Sequence, residues 1–479
     1  MTMKNRREFL KTATVSGVAF LAAPAGGAWA RPLRISFAGR PTSARWDQMQ
    51  AILSRIKLPS FPARDFEITK FGAVGDNRTD NTEAFRKAIA ACNSAGGGRV
   101  IVPQGEFVTG AVQLKSNVNL HVNNGATIRF TRDTGKYPVV LTRFEGVELM
   151  NYSPFIYAFE QENIAITGPG TIDGNADAQH WWDWKDRTRG GRTNDDTPND
   201  RDKLFQMAER GVPVEERVFG EGHFLRPMFI QPYRSKNVLI EGVTLLNSPM
   251  WQVHPVLCQN VTVQHLTIRS DGPNTDGCDP ESSDGVLIRG NFFSTGDDCI
   301  AIKSGRNADG RRLHVPAENI VIQNCHMQDG HGGITVGSEI TGGVRNLFAD
   351  ECQMDSPHLN MAIRIKNNAE RGGLLENIHV RNIDVGQVAN AAISIDFFYE
   401  EGERGNFKPV VRDVSIEKLT TKKAKYALYL RGFANAPIED VKISDCDFEG
   451  VEATNVLEHV KDVSLYNVKI NGKAVDKAA

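Results

Sequence analysis

Asp276, Asp297 and Asp298 are the residues best suited by type and spacing to do chemistry. Asp297 and Asp298 adjoin between Phe293 and the apolar run Ile300-Ala301-Ile302. In such a strand context two neighbouring carboxylates are costly unless paired or used. Asp276 stands 21 residues before Asp297, close to one turn of a stacked coil. Equivalent positions on successive coils lie about 4.8 Å apart, so Asp276 is expected beside the pair. Like charges this close resist joint ionisation, and one pKa rises. A protonated acid for a leaving oxygen, with ionised groups to activate water, is what hydrolysis of a glycosidic bond needs. Further candidates recur at one interval: His331 lies 33 residues after Asp298, Arg364 33 after His331 and Tyr399 33 after Lys366. Arg364 and Lys366, two apart, share one side of a strand, where two cations suit a sugar bearing a carboxylate.

The elements that must position these residues form an irregular repeat. Asn237-Val-Leu-Ile-Glu-Gly-Val-Thr-Leu compares with Asn260-Val-Thr-Val-Gln-His-Leu-Thr-Ile, and similar segments begin at Asn117, Asn163, Asp284, Asn319, Asn377, Asp413, Asp440 and Asp462. Each is an Asn or Asp followed by short strands alternating with period two, so one face points inward. Most starts fall 22 to 36 residues apart, one coil of a β-helix with loops absorbed. The predicted fold is all-β: a single-stranded parallel β-helix. A short helix after Asp80, with Asp80 as cap, Glu83 completing a capping box and Gly96-Gly97-Gly98 ending it, is expected to close the open N-terminal end. No helix follows the glycine run and no GK[ST] appears, which excludes a nucleotide loop.

The polar and aromatic stretch 175–226, with His180-Trp181-Trp182-Asp183-Trp184, breaks the repeat. Its tryptophans either serve the site or pack the insertion onto the coils. Seven cysteines include Cys278, Cys299, Cys325 and Cys352 at intervals of 21, 26 and 27, as if stacked in one interior column. Without CxxC or Cys/His clusters they point to no metal site. The net charge of −2 excludes a global attraction to nucleic acid, so an anionic ligand needs a local basic cluster.

The elements Asn274-Thr275-Asp276-Gly277, Gly296-Asp297-Asp298-Cys299-Ile300-Ala301-Ile302-Lys303-Ser304-Gly305, Gly330-His331-Gly332-Gly333 and Arg364-Ile365-Lys366 occur in the order found in the polygalacturonases, glycoside hydrolase family 28, which the chain resembles over most of 66–470. Lys70 to Asp76, Gly170-Thr171-Ile172-Asp173-Gly174 and Ser248-Pro249-Met250-Trp251 extend the resemblance. It implies a right-handed sense for the β-helix, and inverting hydrolysis of α-1,4-galacturonan without metal or cofactor. Asp297 resembles the general acid, and Asp276 and Asp298 the pair that activates water. His331 resembles the histidine supporting the acid, and Arg364 and Lys366 the uronate clamp. Tyr399, placed by spacing, Asn274 and Lys303 complete the expected substrate-binding set. The segment Arg306 to Pro316, with Gly337-Ser338-Glu339 beyond it, looks like the bacterial exo-acting branch. Arg306, Arg311 and Arg312 either bind further uronates or form a solvated basic loop. Rhamnogalacturonan or substituted pectin as substrate, a polysaccharide lyase and a non-catalytic glycan-binding solenoid stand as alternatives.

Asn5-Arg6-Arg7-Glu8-Phe9-Leu10-Lys11, a mild apolar stretch and Ala28-Trp29-Ala30 read as a twin-arginine signal peptide over 1–30. The stretch is too short to span a bilayer, so no stable membrane insertion is expected. The expected organisation is an N-terminal extension at 31–65, the catalytic β-helix at 66–470 with its insertion at 175–226, and a tail at 471–479. The protein is expected to be a periplasmic or secreted monomer acting on an acidic plant polysaccharide or oligogalacturonide, with no nucleic acid partner.

Overall fold

Asparagine sets where many of the coils start. Asn163, Asn237, Asn260, Asn319, Asn346 and Asn377 all have φ between 56° and 58°, the left-handed region that Asn tolerates better than other residues with a side chain. Their side chains stack: Asn163 Nδ2 donates to Asn117 Oδ1, Asn237 to Asn163, Asn260 to Asn237, Asn346 to Asn319 and Asn377 to Asn346, at 2.6–3.1 Å. In the coil that begins at Asp284, Gly285 takes the left-handed position at φ 73°, and Asn319 reaches Asp284 Oδ1 instead. Asn346 starts a coil inside the long interval between Asn319 and Asn377, one that the repeat pattern had not resolved.

The computed structural model describes residues 42–185 and 199–475. The expected signal peptide, the middle of the insertion at 186–198 and the last residues of the tail lie outside the described residues. From Ser43 onward the chain is one unit, a right-handed parallel β-helix. One strand column runs through Gly98–Val102, Val118–Val122, Glu162–Thr167, Lys236–Glu241, Gln259–Gln264, Asp284–Arg289 and Ala317–Gln323. Inside it Val238, Val261, Val286, Ile320, Leu347, Ile378 and Val414 stand in register and buried. Another column runs through Ile156–Phe159, Ile230–Tyr233, bridges at Val253 and Cys278, Ile300–Ile302, the end of His326–Val336, Leu359–Lys366 and Ala391–Asp396. That column carries the candidate site.

The N-terminal end is closed by the helix Thr82–Ser94, whose Phe85, Ala88, Ile89 and Cys92 enter the main core. Its cap differs from the capping box. Asn81 stands at the cap position but turns its side chain to Val74, Thr79 and Val108. Asp80 accepts from Thr82 N at 2.9 Å. Glu83 pairs with Arg86 and Lys87, so it does not reach back. A second helix, Thr42–Arg55, lies within the expected extension. Its Trp46, Met49 and Ile52 cover Leu287, Val321 and Phe348 on the outer face of the sheet.

The described cysteines are all buried and free. The single column expected of four of them splits: Cys325 and Cys352 meet on adjacent coils, whereas Cys278 and Cys299 belong to the site column. In the insertion, Trp181 packs on Tyr137 and Phe155, with ring centroids at 5.4 Å in each case, so that tryptophan serves packing. The helix Asp200–Glu209 joins Phe144, Leu149, Met250 and Trp251 in a smaller cluster.

Candidate active site

Coil registration brings the three aspartates together. Gly277 N–H donates to Asp298 O at 3.0 Å and Cys278 bridges Ile300, which sets Asp276 level with Asp298. His331 N–H donates to Asp297 O at 3.0 Å, which sets His331 level with Asp297. Thr335 pairs with Arg364 one coil on. Gly332 is required between them: a Cβ there would lie 2.2 Å from Thr335 Oγ1 and 2.8 Å from Asp298 Oδ1. The glycine thus leaves room for the carboxylate.

The nearest oxygens of Asp276, Asp297 and Asp298 all lie within 4.8 Å of one another. Asp297 Oδ1 accepts from Asp298 N–H at 3.0 Å and faces His331 Nδ1 at 2.9 Å. Its Oδ2 accepts from Asn274 Nδ2 at 3.3 Å. Asp298 is gripped by Lys366 Nζ at 2.7 Å, Arg364 at 3.2 Å and the Thr335 hydroxyl at 3.0 Å. Tyr399 lies under both cations, its ring centroid 5.5 Å from Arg364 and 5.0 Å from Lys366. The interval of 33 residues therefore placed Tyr399, Arg364, Lys366 and His331 on one strip with the aspartates.

These surroundings divide the protons unequally. Burial, with Asp297 and Asp279 close by, drives Asp276 well above the usual carboxylate range. Burial also pushes Asp298 upward, but Lys366 and Arg364 outweigh it and hold Asp298 well below. For Asp297, burial pushes upward, but the hydrogen bond with His331 and the charges of His331 and Lys366 together outweigh it, so its pKa falls. His331 is raised, first by that same hydrogen bond. Crowding was expected to raise the acid itself. In the free site burial and crowding together raise Asp276 instead, because Asp297 has His331 as a hydrogen-bonded partner while Asp276 keeps a buried Oδ1 with no hydrogen bond.

Lys303 was expected to touch substrate. It is 4% exposed and lies beneath the site, 2.9 Å from Glu339 Oε2, 3.9 Å from Asp276 Oδ2 and 4.4 Å from the Trp251 ring centroid. The arginine-rich segment is not a plain loop, and its arginines have protein partners. Asn307–Leu313 is a short helix. Arg306 is buried against Glu339, Glu145 and Glu401, Arg311 donates to Glu370 O, and Arg312 pairs with Glu148 and Asp309. Thr335 and Asp279 escaped the sequence reading, and Glu339, quoted there within Gly337-Ser338-Glu339, was given no role at the site. Thr335 is a single polar residue within a strand, Asp279 follows the isolated bridge at Cys278, and Glu339 is a partner whose lysine lies 36 residues away.

Among the described residues, the three aspartates form the group whose type and spacing could hold a cation. Lys366, Arg364 and Lys303 already supply positive charge to two of them, which disfavours a divalent ion.

The description "Glycosyl hydrolases family 28" matches residues 221–470, and "Rhamnogalacturonase A/epimerase, pectate lyase-like" matches residues 66–184. The chain is 46% identical to a hyperthermoactive exopolygalacturonase of Thermotoga maritima of known crystal structure, with a TM-score of 0.85, covering 90% of this chain and 96% of that one. It is 28% identical over 404 residues to a Vitis vinifera protein named "Probable polygalacturonase", covering 80% and 74% of the two chains. It is also 28% identical over 382 residues to an endo-polygalacturonase of Pectobacterium carotovorum subsp. carotovorum, covering 76% and 83%.

Proposed function

We propose that this chain, which belongs to glycosyl hydrolases family 28 and is a glycoside hydrolase, cleaves α-1,4-linked galacturonan or its oligomers with inversion, from a chain end. The observation that carries the substrate is the pair Arg364 and Lys366 set against three clustered carboxylates. A neutral glycan has no use for two cations at the reacting centre, whereas a uronate does. Arg364, 13% exposed, is the arm that reaches the cleft, and Lys366, at 6%, is the deeper one.

Asp297 is assigned the acid. Its side chain is 17% exposed, against 3% for Asp276 and none for Asp298, so it alone can reach a glycosidic oxygen. His331 Nδ1–H donates to Asp297 Oδ1, and the pair holds one further proton, on the imidazole or on Asp297 Oδ2; binding of an anionic sugar favours its place on Asp297. Asp276 and Asp298, level on successive coils, hold and deprotonate the attacking water. The unpartnered Asp276 Oδ1 is an acceptor ready for it. Oxygens within 4.8 Å are closer than the roughly 6.5–9.5 Å usual for inverting carboxyl pairs. The stereochemistry therefore rests on the family resemblance, and NMR of the first-formed anomer tests it: β supports inversion, α refutes it.

Exo action is supported by the exopolygalacturonase relative and by two insertions that meet. Arg306 stacks on Phe205 at 4.1 Å, and Ala308 N–H donates to Glu209 Oε1 at 3.0 Å. The two together can wall one end of the cleft. A product profile over time on polygalacturonate addresses substrate and mode together. Reducing ends should appear as short products with little early loss of viscosity, and a rapid fall in viscosity means endo cleavage. Release only from rhamnogalacturonan or substituted pectin would move the substrate to the alternative. Turnover should be unaffected by a chelator, and products should lack the ultraviolet absorbance of unsaturated uronates. The opposite pair of results is the signature of a lyase. Export through the twin-arginine route is part of the proposal, and replacing Arg6 and Arg7 with lysines should leave the protein in the cytoplasm.

A further inference from the structure

The loop that carries Asn274 and Asp276 is gripped from both ends of the 175–226 insertion. At its start, Trp182 lies on Gly272, where a Cβ would fall 2.1 Å from the indole Cε2. The indole N–H donates to Ser248 O at 2.8 Å. At its end stands Arg226, 3% exposed. One of its guanidinium nitrogens donates to Pro249 O at 3.1 Å and to Pro273 O, and the other to Asn274 Oδ1 at 2.8 Å. Asn274 in turn donates from Nδ2 to Asp297 Oδ2 at 3.3 Å.

The direction of this relay is forced. A guanidinium has donors and no acceptor, while an amide has one of each. Arg226 therefore fixes the Asn274 oxygen toward itself and the Asn274 NH2 toward Asp297. A flipped amide would set donor against donor on one side and acceptor against acceptor on the other. Asp297 has about four lone-pair sites. Oδ1 spends its own on Asp298 N–H and His331. Asn274 takes one site of Oδ2. A single lone pair of Oδ2 is then left to carry a proton toward substrate.

We infer that Arg226 is a positioning residue for the acid, acting through Asn274 to direct the proton of Asp297 at the glycosidic oxygen. This rests on the assignment of Asp297 as acid. The reaction balances without further reactants: the proton passes from Oδ2 to the departing oxygen as the bond to the anomeric carbon breaks.

The test compares Arg226→Lys, Arg226→Gln, Asn274→Ala and the Arg226→Gln/Asn274→Ala double variant on two substrates. One is trigalacturonate, whose sugar leaving group needs a proton. The other is a 4-nitrophenyl oligogalacturonide, whose leaving group does not. Lysine is also donor-only and keeps the amide oriented, whereas glutamine lets it flip. On trigalacturonate, Arg226→Gln should lose about 10–100-fold in kcat, Arg226→Lys distinctly less, and the double variant no more than Asn274→Ala alone. On the aryl glycoside all should return to within a few-fold of the parent. Equal losses for Lys and Gln, losses that multiply in the double variant, or the same loss on both substrates would overturn the relay. Asp297→Asn is the control. If it recovers on the aryl glycoside while Arg226→Gln does not, only the relay fails. If it does not recover, the acid assignment fails and the relay with it.

Discussion

Asp276 sits in the site under a load that a folded protein would ordinarily shed. Burial beside Asp297 and Asp279 raises its pKa well above the usual range, and its Oδ1 has no hydrogen-bond partner. A carboxyl whose folded pKa is raised gives full stability below its unfolded value, about 3.9, and loses it as pH rises through the folded value. Asp276→Asn should thus abolish activity yet unfold at a higher temperature than the parent at pH 7, with the difference closing near pH 3. A variant less stable at pH 7 would show that Lys303 needs this charge more than the fold suffers from it. The same shifts set the pH dependence of kcat/KM. Asp276 must be ionised, so the acid limb should lie above the ordinary carboxylate range. The Asp297–His331 pair must hold a proton, and His331 is raised by its hydrogen bond with Asp297, so the alkaline limb should lie above about 6.5. His331→Ala should move that limb, and an unmoved limb assigns it elsewhere. Asp297→Asn should lose about 10²–10⁴-fold in kcat on a galacturonan oligomer with an unchanged circular dichroism spectrum. Retained turnover removes Asp297 from the role of acid.

At the scale of elements, the strands were legible and what covers them was not. Period-two alternation and the leading Asn or Asp disclosed the coils, because an inward stack and a left-handed start leave local marks. The helix Thr42–Arg55 left two marks that went unread: Trp46, Met49 and Ile52 recur at helical spacing, and Val-Leu-Ile at 286–288 and Ile-Val-Ile at 320–322 are apolar on both faces. Continuous apolar strands signal a sheet covered on each side. Trp46, 7% exposed and stacked edge-on to Phe348 at 5.9 Å, is the centre of that cover. Trp46→Ala should cost about 3–5 kcal/mol in urea unfolding without changing kcat. A loss of activity in the folded variant would tie the helix to the site. The segment 306–316 shows the limit of such reading. Its arginines were visible, but the partners that neutralise Arg306, Glu145 and Glu401, lie 161 and 95 residues away, and no local pattern announces a pairing of that range.

The whole molecule explains why a reactive site can sit in a stable frame. In a solenoid each coil touches only its neighbours, so stability is close to a sum of nearest-neighbour terms and openings start at the ends. Asp276 to Tyr399 occupy central coils, with strands paired on both sides throughout. Toward the C-terminus protection declines. Ile300–Ile302 is wholly buried, whereas most of Val460–Tyr466 is exposed or half-buried and Tyr466 is 73% exposed. Among the described residues the last coil is sealed by the antiparallel strand Lys473–Val475 on Val468–Ile470, while the N-terminal end carries the buried face of a full helix. Fraying should therefore be one-sided. In native-state hydrogen exchange, amides of Val460–Tyr466 should open at lower free energy than those of Ile438–Ser444, and those in turn before Ile300–Ile302 and Ile334–Val336. Thermal loss of activity should coincide with the last group. Exchange of all of these strands at one free energy would mean that the coils open as a single cooperative block, and the central position of the site would then give it no protection.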